Sequence, residues 1–249
     1  MNLRHNLCTR LMRISRMAGL ILALLPLTFL AAETSEIDNQ LSPEEQSAGW
    51  ALLFDGKSME QWRSYGKADV APAWQIQNNA IVMTSRGGGD LITRETWQNF
   101  ELSLEWNISE GGNSGIFFLA DESDKPIYVH APEIQILDDK RHPDNKKANR
   151  RSGSLYDLVA SPPAAQKPAG EWNQVILVHV NGHLTVWQNA VLSVDIALGS
   201  ARWNDLVARS KFADWSGFGE QPLGHIGLQD HGDQVSFKNL KIRTLSVMP

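Results

Sequence analysis

From Trp50 onward the chain is cut into short apolar segments, each closed by Gly, Asn, Asp or Pro. That punctuation restricts the fold to an antiparallel sandwich or barrel. The clearest segment is Phe100-Glu101-Leu102-Ser103-Leu104-Glu105-Trp106-Asn107. Every second residue in it is apolar, so one face meets a core while Glu101, Ser103, Glu105 and Asn107 line the other. Residues 175–180 run into Asn181-Gly182 before 183–187, and Asn-Gly between two apolar runs signals a tight hairpin because both residues tolerate positive φ. Residues 74–77 and 80–84 flank Asn78-Asn79 in the same way. Further strands are predicted over 116–119, 127–137, 191–196, 225–228 and 235–243. In the last, Val235 and Phe237 share one parity and Leu240 and Ile242 the other, which predicts a bulge near Asn239. No convincing amphipathic helix is predicted. The expectation is an all-β chain of about ten to twelve strands, a two-sheet antiparallel β-sandwich of jelly-roll type.

Residues 1–17 carry Arg4, Arg10, Arg13 and Arg16 and no acid, and an apolar run over 18–32 follows. That is the layout of a secretory signal peptide. The run is about 15 residues, short of the roughly 18 needed to span a bilayer, and it contains Pro26. The expected organisation is a signal peptide over 1–32, a polar tether over 33–48 and a single β-sandwich domain over 49–249. A bacterial periplasmic or secreted location follows, with no stable membrane insertion after cleavage. Loss of the four arginines moves the net charge from −5 to −9. Nucleic acid is an unsuitable partner for so acidic a chain, because binding phosphates needs a basic face. The single cysteine, Cys8, lies in the leader, so the mature chain has no thiol chemistry or disulfide.

Residues 138–170 and 197–224 are too long for turns and show little strand pattern, and long ordered loops usually carry function. Three clusters stand at or near them. In Glu133-Ile134-Gln135-Ile136-Leu137-Asp138, alternation puts Glu133 and Gln135 on one face. Two polar groups fixed on rigid backbone, with Asp138 and Asp139 at the strand end, suit the orienting of sugar hydroxyls or the moving of a proton. An ordinary solvated face gives the same pattern. In Gln229-Asp230-His231-Gly232 a carboxylate adjoins an imidazole, the usual acid or base near neutral pH. A β-turn in which Asp230 bonds its own backbone is the alternative. Tyr156 and Asp157 lie within the first long loop, where a phenol beside a carboxylate can polarise a ketone, or simply pack. Of the nine tryptophans, Trp203 and Trp215 fall in the second loop, where exposed rings stack on sugar faces.

The stretches Trp50-Ala51-Leu52-Leu53-Phe54-Asp55-Gly56-Lys57, Gly112-Asn113-Ser114-Gly115-Ile116, Glu133 to Asp138, Gly153-Ser154-Leu155-Tyr156-Asp157-Leu158, Gly170-Glu171-Trp172-Asn173 and Gly224 to Gly232 occur in this order. Together they resemble the successive motifs of the 3-keto-disaccharide hydrolase family. The resemblance implies a concanavalin A-like jelly roll and a carbohydrate substrate, a glycoside already oxidised to a ketone at C3. It further implies removal of the C2 proton, elimination of the group at C1 and hydration. Carried onto this chain, it makes Glu133 and His231 candidates for base and acid, and Gln135 and Tyr156 candidates for positioning the ketone. Asp138, Asp157 and Asp230 would orient partners, with Gln229, Trp203 and Trp215 in substrate binding. No cofactor is required with certainty, although a divalent cation held by His231 with carboxylates would also stabilise an enolate. The Glu-x-Asp-x-Glu strand of laminarinase-type glycosidases is absent from the sequence. A noncatalytic, lectin-like sugar-binding module is the other reading.

Overall fold

A computed structural model describes residues 37–122 and 126–246. The leader expected over 1–32 lies outside the described residues. Among these residues the chain forms α1 (Pro43–Ser47), β1 (Ala51–Leu52), β2 (Trp62–Ser64), β3 (Trp74–Gln77), β4 (Ala80–Met83), β5 (Leu91–Thr93), β6 (Phe100–Ile108) and β7 (Asn113–Ala120). It continues through β8 (Glu133–Leu137), β9 (Asn173–Val180), β10 (His183–Gln188), β11 (Val191–Ala197), α2 (Ala201–Ala208), β12 (His225–Leu228) and β13 (Val235–Thr244). The larger sheet has eight strands in the order β11-β10-β9-β6-β13-β4-β3, with β1 paired to β13. The smaller has five, β2-β5-β12-β7-β8. The expected two-sheet antiparallel sandwich is therefore present.

Alternation in β6 fixes which face meets the core. Phe100, Leu102, Leu104 and Trp106 are fully buried, while Glu101, Glu105 and Asn107 are only partly covered. They share one apolar cluster with Ile116 and Phe118 of β7 and Ile134 and Ile136 of β8, from the opposing sheet. Each such side chain contributes about 1.5–3 kcal/mol by leaving water. The Asn181-Gly182 turn joins β9 to β10 with φ of 50° and 76°, as its sequence predicts.

Four expectations are corrected. Residues 127–137 do not form one strand: a 3-10 turn occupies Ile127–Val129, and β8 begins only after Pro132, which has no N–H for a ladder. A helix is present after all. Ser200 caps α2 by accepting from the Trp203 N–H at 3.2 Å, and Trp203, Leu206 and Val207 fall at helical spacing on its packed side. The short strands β1, β2 and β5 were not predicted, because two or three residues are too few to show a period. Residues 37–48 are docked, where a tether was expected. Asn39 is 3% exposed and exchanges hydrogen bonds with Asn239: Asn39 N–H donates to Asn239 Oδ1 at 2.6 Å, and Asn239 N–H donates to Asn39 Oδ1 at 2.8 Å.

That docking seals the bulge in β13. Asn239 has a φ of 54°, the pairing with β6 shifts between Lys238 and Lys241, and its Nδ2 donates to Glu105 Oε1 at 2.8 Å. The smaller sheet, by contrast, is buried on both faces: every residue of β7 and of β8 is buried. Its outer face is covered partly by residues 152–156, which bond along β8 through Gln135 N–H to Ser154 O at 3.0 Å and Tyr156 N–H to Glu133 O at 2.9 Å. The segment after α2 closes from the other side, where Gly219 N–H donates to His130 O at 2.8 Å.

Replacing Asn239 by Ala should cost about 2–4 kcal/mol in chemical denaturation, from left-handed backbone strain and lost hydrogen bonds. Asn239→Gly should cost less, because only the bonds are lost. Equal losses would show that the backbone conformation contributes nothing.

Candidate active site

Glu133 is the first residue of β8 and its side chain turns to the outer face of the smaller sheet, opposite Ile134 and Ile136. It is 8% exposed. What lets a carboxyl lie flat there is Gly115 on the neighbouring strand: a Cβ at that position would stand 2.2 Å from Glu133 Oε1. The Gln229 side chain hydrogen-bonds the carboxylate, and the Gln229 N–H donates to Gly115 O at 2.9 Å. Burial drives the Glu133 pKa up to about 8, against the nearby Lys211 ammonium.

Around this carboxyl lies a cavity of about 160 Å³, lined by Asn113, Tyr128, Glu133, Gln135, Tyr156, Lys211, Gln229 and His231. Three carboxamide oxygens there, Asn113 Oδ1, Gln135 Oε1 and Gln229 Oε1, are buried and have no partner among the described residues. A buried acceptor left unpaired costs about 1–3 kcal/mol, so the cavity presents three acceptors suited to ligand hydroxyls. The Gln135 amide donates to Arg150 O at 3.3 Å, which fixes its direction.

Tyr156 and Lys211 form the cationic side of the cavity. The Tyr156 hydroxyl donates to Asp144 Oδ2 at 3.2 Å, and burial together with the Asp144 charge raises its pKa, so it remains a phenol. Lys211 is exposed along its length. Its Nζ, however, stands among three rings, 4.2 Å from the centroid of Tyr156, 5.1 Å from Phe212 and 5.6 Å from Trp215. Burial lowers its pKa and the Glu133 carboxylate opposes that shift. His231 completes the rim. Its Nδ1 is 4.0 Å from Asp233 Oδ2, its ring meets His142 edge-on at 6.1 Å, and burial holds it below the usual imidazole pKa.

The expected carboxylates and tryptophans sit further out. Asp157 has a φ of 58° and bridges the two long loops, accepting from Arg150 Nε at 2.6 Å and from the Lys211 N–H at 3.0 Å. Against the upward pull of burial, these partners hold its pKa low. Asp138 accepts from the N–H groups of Gly111 at 2.7 Å and Lys140 at 3.0 Å, which closes the turn after β8. Asp230 accepts from Gly87 N–H at 3.0 Å and Gly89 N–H at 2.9 Å and organises the glycine turn. Neither Asp138, Asp157 nor Asp230 lines the cavity. Trp203, expected as an exposed stacking ring, is 3% exposed in the core and lies parallel to Phe218 at 6.0 Å. Trp215 is partly buried against Phe212 and Tyr128, at 5.1 and 5.9 Å.

Sequence reasoning did not single out Asn113, Tyr128 or Lys211. Asn113 sat unremarked within a quoted motif. Lys211 carried one usable signal, the single lysine of the second long loop, set beside Phe212; Tyr128 carried none. Among the described residues no group of three or more His, Cys, Asp or Glu side chains is arranged to hold a metal ion.

A family model described as a 3-keto-alpha-glucoside-1,2-lyase-like domain matches residues 49–243. The chain is 38% identical over 244 residues to the 3-keto-disaccharide hydrolase of Bacteroides thetaiotaomicron, covering 86% of this chain and 84% of that protein. A crystal structure from Parabacteroides distasonis, provisionally assigned as a glycosyl hydrolase, superposes with a TM-score of 0.78 at 29% identity, over 84% of this chain and 100% of that one. A second provisionally assigned glycosyl hydrolase from that organism gives a TM-score of 0.63 at 25% identity, over 79% and 99%. A Bacillus subtilis protein with a galectin-like fold shares the architecture, with a TM-score of 0.50 at 13% identity over 84% and 95%.

Gly115→Ala should leave the sandwich folded, at a cost of about 1–3 kcal/mol from overpacking. It should lower kcat by about a hundredfold, because the added methyl must displace the Glu133 carboxyl. Wild-type turnover by the folded variant would remove the reason given for this glycine.

Proposed function

This chain belongs to the 3-keto-alpha-glucoside-1,2-lyase-like family and is a carbohydrate hydrolase, and we propose that it cleaves glycosides carrying a ketone at C3 by elimination and hydration. The observation that carries this reading is the lining of the cavity: one carboxyl, one imidazole, one ammonium, two phenols and three unpaired carboxamide oxygens. Ordinary glycosidases flank the scissile bond with two carboxyl groups. A 3-keto sugar needs something else. Its C2 proton is acidic, so the requirement is a base, a holder for the enolate oxygen and an acid for the departing group.

Opposite pKa shifts divide the proton work. Burial keeps Glu133 protonated at neutral pH, so it acts as the acid, while burial keeps His231 neutral and able to accept a proton. In this reading His231 takes the C2 proton and the electrons move onto the C3 oxygen. The Lys211 ammonium holds that oxyanion, joined by the Tyr156 hydroxyl once its proton turns from Asp144 to the substrate, with the Gln135 amide beside it. As the ketone re-forms, a C1–C2 double bond forms, the C1–O bond breaks and Glu133 protonates the leaving oxygen. Water then adds to C1, giving its proton to the Glu133 carboxylate, and His231 returns a proton to C2. The net change is hydrolysis. Asn113 and Gln229 accept from sugar hydroxyls, and Asp157 positions Lys211 through its backbone.

The test compares a 3-keto-glucoside with its unoxidised parent, following release of the C1 group. Only the keto form should react, and kcat/KM should be bell-shaped: it rises as His231 loses its proton below the usual imidazole pKa and falls as Glu133 loses its own near 8. His231→Ala should lower the rate about 10²–10⁴-fold for every leaving group and abolish exchange of the C2 proton into deuterium oxide. Glu133→Gln should lose as much with an alcohol leaving group but far less with a nitrophenolate, which departs without an acid. Equal losses for both leaving groups would reject the acid role of Glu133.

The basic and apolar residues 1–32 support the further reading that the enzyme is exported. The enzyme recovered from outside the cytoplasm should begin near Glu33 by intact mass; a cytoplasmic protein retaining Met1 would overturn this.

A further inference from the structure

We propose that the cavity between the β9–β10 turn and α2 is a second binding site, separate from the catalytic one, and that it takes a neutral saccharide. This goes beyond the catalytic reading and does not depend on it. The cavity measures about 640 Å³, within the roughly 300–1,000 Å³ typical of small-molecule sites. None of the residues lining it lines the catalytic cavity.

Its chemistry is neutral and rich in amides. Gln98, Asn99, Asn181, Asn204 and Gln221 contribute carboxamides, Leu198, Val207 and Trp215 contribute apolar surface, and among the described residues no Lys or Arg takes part. Glu220 is its single carboxylate among the described residues, and it is exposed. Amides that both donate and accept, set beside an aromatic ring, match a ligand with many hydroxyls and no charge. An anion would find no cation there among the described residues.

A second observation points to a missing partner. His179 lines the cavity and is 3% exposed. Its Nδ1 lies 2.6 Å from Gln98 O, so Nδ1 carries the proton and Nε2 is an acceptor. That Nε2 has no partner among the described residues. Burial also holds the ring below the usual imidazole pKa, so it stays uncharged at neutral pH. A ligand hydroxyl supplies the donor this nitrogen lacks. Trp215 stands between the two cavities, because its ring also packs 5.9 Å from Tyr128 of the catalytic lining. Occupancy should therefore register in tryptophan fluorescence without catalysis.

The experiment titrates the full-length protein with glucose and trehalose, and with glucuronate as the charged control, by calorimetry and tryptophan fluorescence. Saturable binding of a neutral sugar with a Kd of about 0.1–10 mM is expected, with glucuronate at least tenfold weaker. Ala208→Trp and Ala213→Trp add bulk at exposed lining positions that do not threaten folding. Each should weaken binding tenfold or more and leave turnover of a 3-keto-glucoside unchanged. His179→Phe keeps the ring packing and removes the acceptor, and should weaken binding about three- to tenfold. No saturable binding below about 50 mM, or undiminished binding in both filled variants, overturns the proposal. A neutral sugar that binds only in the catalytic cavity is that second outcome, since filling the larger cavity would then change nothing. Failure of turnover on keto sugars, by contrast, bears on the catalytic reading alone.

Discussion

Burial of both faces of the five-stranded sheet is the constraint on which the site depends. Its inner face meets the larger sheet through Ile116, Phe118, Ile134 and Ile136. Left open, the outer face would hold Glu133 and Gln135 in water with ordinary chemistry. Instead, residues 152–156 bond along β8 and the segment after α2 closes over the strand ends. The covering loops strip water from a carboxyl that the alternation of β8 can place nowhere else. Gly115 then supplies the one patch of bare backbone on which that carboxyl can lie.

Desolvation sets the electrostatics of what remains. A buried carboxyl without a tight ion-pair partner keeps its proton, and partial desolvation makes an imidazole or an ammonium at the cavity rim more acidic. Glu133, His231 and Lys211 shift in those directions. Asp157 and Asp138 are buried as well, yet their pKa values fall, because guanidinium and backbone N–H groups outweigh burial. That contrast separates the two kinds of acid here. Carboxylates that hold loops together are fully paired and stay charged, whereas Glu133 is left underpaired. Three unpaired amide oxygens tell the same story, since polar groups held short of their partners store free energy that a ligand can release.

Much of this was legible in the chain. Alternation in β6, the Asn-Gly turn and the parity change before Leu240 gave the strands, a hairpin and the bulge at Asn239. Glu133 and Gln135 were placed on one face by the same rule, and the two long loops, singled out as candidate places for a site, bring Tyr156 and Lys211 to the cavity. The failures have physical causes. Trp203 looked like an exposed ring because α2 was missed, although Ser200 and the spacing of Trp203, Leu206 and Val207 marked it. Asp230 looked like a partner for His231, but its carboxylate turns back to Gly87 and Gly89, a contact separated by more than a hundred residues.

The sequence by itself determined the all-β class, the inward and outward faces of the long strands, and the set of chemically capable groups, because period and residue type are local properties. Only the tertiary structure decided which of those groups share a cavity. Lys211, Tyr128 and Asn113 join Glu133 through packing between distant segments, and no local pattern records it. Protonation states were settled at the same level, since the desolvation that sets them exists only once both loops have closed on the sheet.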